Sequence, residues 1–221
     1  TEAQPPAVCH SGSTAGRVAC GSRHAYRLWY GDILGTYGLT GIVLPVVRDR
    51  DARRLTTLAG VFRRFVAAIE LFAAVSIGGE AIAAQWQPAE AAIREQVATY
   101  RGGWLDQMSH RVSSSFQRQT SGFIGQSFWR VGGVMLLGMA LYRWGVLTGE
   151  RSARVYQALV AGGVVGVAIV VAGVAYIEAN DWSAGAALYW RQFNYVGSLR
   201  VHGRHLGPVT RAAKRRPTGP V

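Results

Sequence analysis

From Val155 to Ile177 the chain reads VYQALVAGGVVGVAIVVAGVAYI, without one charged side chain. An α-helix needs about 20 apolar residues to cross a bilayer core roughly 30 Å thick. A buried helix of a soluble core would rarely run so far without a polar edge. This segment is therefore expected to cross a membrane, and that expectation constrains everything around it.

Three further stretches are read as crossings. Phe128 to Leu147 is apolar with Arg130 and Arg143 near its ends, where long side chains reach the headgroups. Asp32 to Val47 is shorter and crosses with little tilt or with help from Leu28 to Tyr30. Positions 55 to 84 contain Arg63, Arg64 and Glu70, and each charge near the bilayer centre costs about 2.5 to 3.5 kcal/mol. That span slides toward FVAAIELFAAVSI, or else Glu70 faces a protein interior.

Loop charge gives an independent check. Only 16% of residues are charged, against about 25% in a typical soluble domain, yet the formal net charge is +12. The basic residues cluster between the apolar runs and do not line one face, and Lys214 is the sole lysine, so nucleic acid is not an expected partner. RDRDARR at 48 to 54 and RWGVLTGERSAR at 143 to 154 are net basic and belong on the cytoplasmic side. The stretches 80 to 121 and 178 to 191 then lie outside, as four crossings require. Trp29, Tyr30 and Asp32 fall at the outer face, with Gly31 and Asp32 as a turn or helix cap.

Between Pro88 and Thr120 the pattern is amphipathic. Ile93, Val97 and Tyr100 keep helical spacing, Gly102 and Gly103 break it, and Trp104, Leu105, Met108 and Val112 resume it. Two external amphipathic helices are expected. Ala158, Gly162 and Gly166 stand four apart and form a small-residue ridge for helix packing.

Chemical signals are sparse. Cys9, Cys20, His10, His202 and His205 stand in no metal-binding pattern, and the two cysteines read as free thiols. No metal or cofactor is assigned, and a phosphate-cradling loop, a GxSxG elbow and a CxxC pair are all missing from the sequence. His24 and Asp32 read most simply as an interfacial imidazole and a capping carboxylate, though a carboxylate-oriented histidine is also how a general base is built. Arg111, beside His110, reads as facing water or headgroups. Glu70 is the charge kept as a functional candidate, because intramembrane carboxylates line pathways or pair with arginine.

The segments HAYRLWYGDIL, YRGGWLDQMSHR, MLLGMALYRWGVLTGERS and FNYVGSL, in that order, resemble the C-terminal half of the YeiB-like family of bacterial multi-spanning inner-membrane proteins. The likeness covers positions 23 to 199. It implies a multi-pass inner-membrane location and a larger parent protein whose other helices are partners, along with the lipid bilayer and an unidentified small-molecule substrate. The resemblance also implies a transport-related, non-enzymatic role, with membrane acyl transfer as the alternative.

The resulting expectation is an all-α, polytopic transmembrane helical bundle with about four crossings and an external amphipathic helical segment. Positions 1 to 22 are expected to be irregular and 200 to 221 a basic tail, both reading like GC-rich DNA translated out of frame around a fragment. In the transport reading Asp32, Arg111 and Glu70 supply polar groups to a cavity; in the acyl-transfer reading His24 is the base. A third expectation is a fragment with no activity of its own.

Overall fold

The computed structural model describes residues 7–76, 83, 86–187, 190, 193, 194 and 197. Among these it is all-helical. The described residues fall into two units, one drawn from Thr1–Val66 and Glu90–Ala140, the other from Ala67–Ala89 and Leu141–Val221. The proposed tail at 200 to 221, with His202 and His205, lies outside the described residues, as do positions 77 to 82 of the fourth expected crossing.

The first unit opens on α1, Ala7–Arg27. Residues 7 to 22, expected to be irregular, are helical. Their glycines and serines lower helix propensity, but tertiary contact outweighs that weak preference. The contact is with α2, Leu34–Val43, on which α1 packs most extensively. A Cβ on Gly21 would lie 2.2 Å from the Gly35 nitrogen, and one on Gly38 would lie 2.7 Å from a Val18 methyl. Only glycine lets the two backbones approach this closely.

Asp32 starts α2: its Oδ2 accepts a hydrogen bond from the Gly35 amide at 2.7 Å, satisfying one of the free donors of the first turn. Pro45 lies in the tighter turn Leu44–Val47 that ends this segment. From Leu34 to Val47 the helical run reaches only about 21 Å at 1.5 Å per residue.

The core of this unit forms where α3, Ala52–Ser76, meets α6, Phe128–Arg143. Leu44, Leu55, Ala59, Leu136 and Ala140 are buried together. Phe62 lies against Gly132, with a Cβ there only 2.9 Å from the ring, and its ring centroid is 4.9 Å from that of Trp129. Removing a side chain from α6 at Gly132 thus makes the hole that an aromatic from α3 fills.

Two helices stand between α3 and α6: α4, Glu90–Arg101, and α5, Met108–Gln119. They part at Gly102 and Gly103, where the expected break falls, and Asp106 Oδ2 accepts from the Gly103 amide at 2.7 Å.

The second unit contains α7, Ala153–Ala179, about 40 Å long and the one described helix that is both long and apolar enough to cross a membrane. Of four expected crossings, the other three fail one criterion each. The 34–47 run is short, α6 stops at Arg143 rather than continuing to Leu147, and α3 is long enough but carries Arg53, Arg54, Arg63, Arg64 and Glu70. The all-helical class therefore stands, with one described helix able to cross a membrane by length and composition.

Near the end of α7, Ile177 is buried with Ala186 and Ala187, and Trp86 and Trp190 pack against them. Trp86 Nε1 donates to the Trp182 carbonyl at 2.8 Å.

Candidate functional site at the end of α1

A helix ends with four carbonyls that lack intrahelical donors. At the end of α1 those acceptors meet side chains from far along the sequence. Trp104 Nε1 and Arg111 Nη1 both donate to the Arg27 carbonyl, at 2.8 and 2.6 Å. Ser115 Oγ, fully buried on α5, donates to the Ala25 carbonyl at 2.8 Å. The cation at Arg111 also complements the negative end of the α1 dipole.

Gln107 ties this arrangement to α4. Its amide nitrogen donates to the carbonyls of Tyr100 and Gly102 at 3.0 and 3.1 Å, and its oxygen accepts from Arg111 Nη2. Around it stands an aromatic cluster: the His110 ring is edge-on to both Tyr100 and Tyr30, at 5.4 and 6.0 Å, and the Arg118 guanidinium lies 5.1 Å from the centre of the Tyr30 ring. Burial, together with the neighbouring Tyr30 phenol, raises the Tyr100 hydroxyl above its ordinary value of 10.0, while Arg111 opposes the shift. That hydroxyl and Arg111 Nε are buried without hydrogen-bond partners among the described residues.

His24 and Asp32 are brought together. Nδ1 of His24 lies 3.1 Å from Asp32 Oδ1, with the Asp32 side chain 4% exposed and the His24 side chain 43% exposed. The nitrogen is at ion-pair distance but out of line for a good hydrogen bond. The two carboxylate oxygens have separate tasks: Oδ2 caps α2 and Oδ1 faces the imidazole. His24 also lines an open groove of about 630 Å³ with Cys20, Arg23, Arg27, Leu28 and Trp104. Cys20 is a free, exposed thiol.

The other sequence candidates lie elsewhere. Arg111, expected to face water or headgroups, is half-buried on the Arg27 carbonyl. Glu70 is half-buried on α3, in the second unit's share of that helix. Ala158 is exposed, Gly162 has nothing within 4 Å of a Cβ, and Gly166 is buried. The buried glycines of α7 are Gly163, Gly166 and Gly173.

The sequence does not single out Trp104, Gln107, Ser115 and Tyr100 as site residues. Their targets are mainly backbone carbonyls, which carry no residue signature. Only the polar positions recurring on an otherwise amphipathic helix, Gln107, Arg111 and Ser115, four apart, hint at them.

Neither a protein-family model nor a solved structure matches the chain. The uncharacterized protein YeiB of Escherichia coli strain K12 is 30% identical over 172 residues. The aligned part is 75% of this chain and 43% of that relative, so the chain spans less than half the length of the protein it matches. Over three quarters of its length, this is a YeiB-like sequence.

Proposed function

We propose that the chain is part of a multi-pass inner-membrane protein, and that the His24–Asp32 pair is the acid–base unit of an acyl transfer at its outer face. The membrane half of this reading rests on α7. Only 17% of its most apolar window is buried, and Val160, Val164, Val165, Val171 and Val174 are exposed. A soluble core helix of this composition would be covered, whereas lipid is a favourable surrounding for these side chains. The shorter α2 and α6 and the charged α3 complete the crossings by limited tilt, local thinning and snorkelling arginines. Single cysteines at Ser114 and Thr148, in a chain free of Cys9 and Cys20, test this. An impermeant thiol reagent on intact cells labels the first and spares the second; equal labelling overturns the topology.

The chemical half rests on the 3.1 Å approach of His24 to a nearly buried carboxylate beside an open groove. When Nδ1 turns into line with Asp32 Oδ1, Nε2 is left to take the proton of an acceptor hydroxyl. As that proton leaves, the acceptor oxygen attacks the carbonyl carbon of an acyl thioester. The carbon–sulfur bond then breaks, and the departing thiolate takes the proton back from His24. General-base help of this kind is worth about 10² to 10⁴ in rate. His24→Asn in the full-length protein is therefore expected to lower thiol release by a factor in that range, and unchanged release would sink the reading.

A second reading, transport, is favoured by Glu70, a half-buried carboxylate in the otherwise apolar FVAAIELFAAV stretch of α3. Carboxylates at such depth line pathways. In that case Glu70→Gln stops uptake and His24→Asn is tolerated, so the two variants separate the readings.

A further inference from the structure

We infer that the groove at the end of α1 binds an anionic phospholipid, its phosphodiester on Arg23 and Arg27 and an acyl chain along Leu28 and Trp104. The inference rests on the proposed membrane location and not on acyl transfer. Arg23 and Arg27 lie four residues apart, so both guanidinium groups project from one face of α1. Both are exposed, and neither side chain has a hydrogen-bond, ion-pair or ring partner among the described residues. Two unpaired guanidinium groups side by side match the oxygens of a phosphodiester.

Besides His24 and Cys20, the rest of the lining is the apolar pair Leu28 and Trp104. Leu28 is 58% exposed and Trp104 49%, while Leu105 beside it is 75% exposed. Trp104 is held in place because its indole N–H is already committed to the Arg27 carbonyl. What it offers a ligand is therefore its ring. A cationic end joined to a fixed apolar wall suits a molecule that is itself anionic at one end and hydrocarbon at the other. A free phosphate would leave the apolar wall uncovered, and a neutral lipid would leave the arginines unpaired. At about 630 Å³ the groove is of the size that holds a small ligand or one headgroup with part of a chain.

The test uses the full chain in phosphatidylcholine nanodiscs doped with either brominated phosphatidylglycerol or brominated phosphatidylcholine, read by tryptophan quenching. A Trp104→Phe variant identifies the Trp104 signal among the 7 tryptophans. Quenching at Trp104 is expected at roughly tenfold lower mole fraction of the anionic lipid, given the attraction of two arginines near a membrane surface. Arg23→Gln with Arg27→Gln removes that preference, while Arg23→Lys with Arg27→Lys keeps most of it and shows that the fold survives. Equal quenching by the two lipids, or an unchanged preference in the glutamine variant, overturns the inference. Loss of the preference on adding inorganic phosphate assigns the site to a free anion and also overturns it. Carbonate extraction of the source membranes separates the two levels: release of the chain sinks the membrane location, whereas retention with equal quenching sinks the lipid site alone.

Discussion

Glycine has opposite meanings at Gly21 in α1 and at Gly162 in α7. At Gly21 an added Cβ would sit 2.2 Å from the backbone of α2, while at Gly162 it would meet nothing within 4 Å. Both helices are rich in small residues, and a spacing rule treats them alike. At Gly21 the missing side chain permits two backbones to touch inside one unit. Around Gly162 it leaves a surface open, flanked by exposed valines. Small residues therefore mark a helix contact only where a second backbone arrives to use them.

The sharpest way to break this contrast is a charge in α7. Val164→Asp is expected to lower insertion by about 2.5 to 3.5 kcal/mol, measured as the inserted fraction in microsomes, if its exposed valines face lipid. An unaffected fraction means that this face is in water. Next comes Gly21→Ala, which should destabilise the first unit by about 1 to 3 kcal/mol through overpacking against Gly35. Gly162→Ala, by contrast, should stabilise the helix by about 0.5 to 1 kcal/mol. If the two alanine variants unfold alike, the close backbone contact at Gly21 does not hold α1 to α2.

A smaller effect belongs to the α1 terminus. Ser115→Ala removes the donor to the Ala25 carbonyl and should cost about 1 kcal/mol in chemical denaturation, because both groups are buried. The smallest concerns Tyr100. Its phenol holds its proton more tightly in the folded chain, so the folded state binds more protons above the free-phenol value of 10.0. Stability is full below that pH and falls as pH rises past it. Tyr100→Phe should flatten this alkaline slope, and absorbance titration of the phenols should show one delayed tyrosine in the parent.

Legibility followed the range of the interactions. The extent of α7, the break at Gly102 and Gly103 and the capping role of Asp32 were readable because each depends on composition or neighbours within a turn. α1 was not, because its glycines and serines argue for irregular chain unless the partner backbone of α2 is known. The His24–Asp32 approach was readable as a pairing of residue types across a turn, but not as a distance. The roles of Trp104 and Ser115 were not legible, since backbone acceptors look the same at every position.

The capping of α1 also dictates a schedule for biogenesis. The carbonyls of Ala25 and Arg27 are served by residues 77 to 90 positions later. At roughly 5 to 20 residues per second, a ribosome delivers Ser115 about 5 to 20 seconds after Ala25. For that interval the end of α1 emerges with open acceptors, and water, lipid headgroups or an insertion factor must occupy them until α5 arrives.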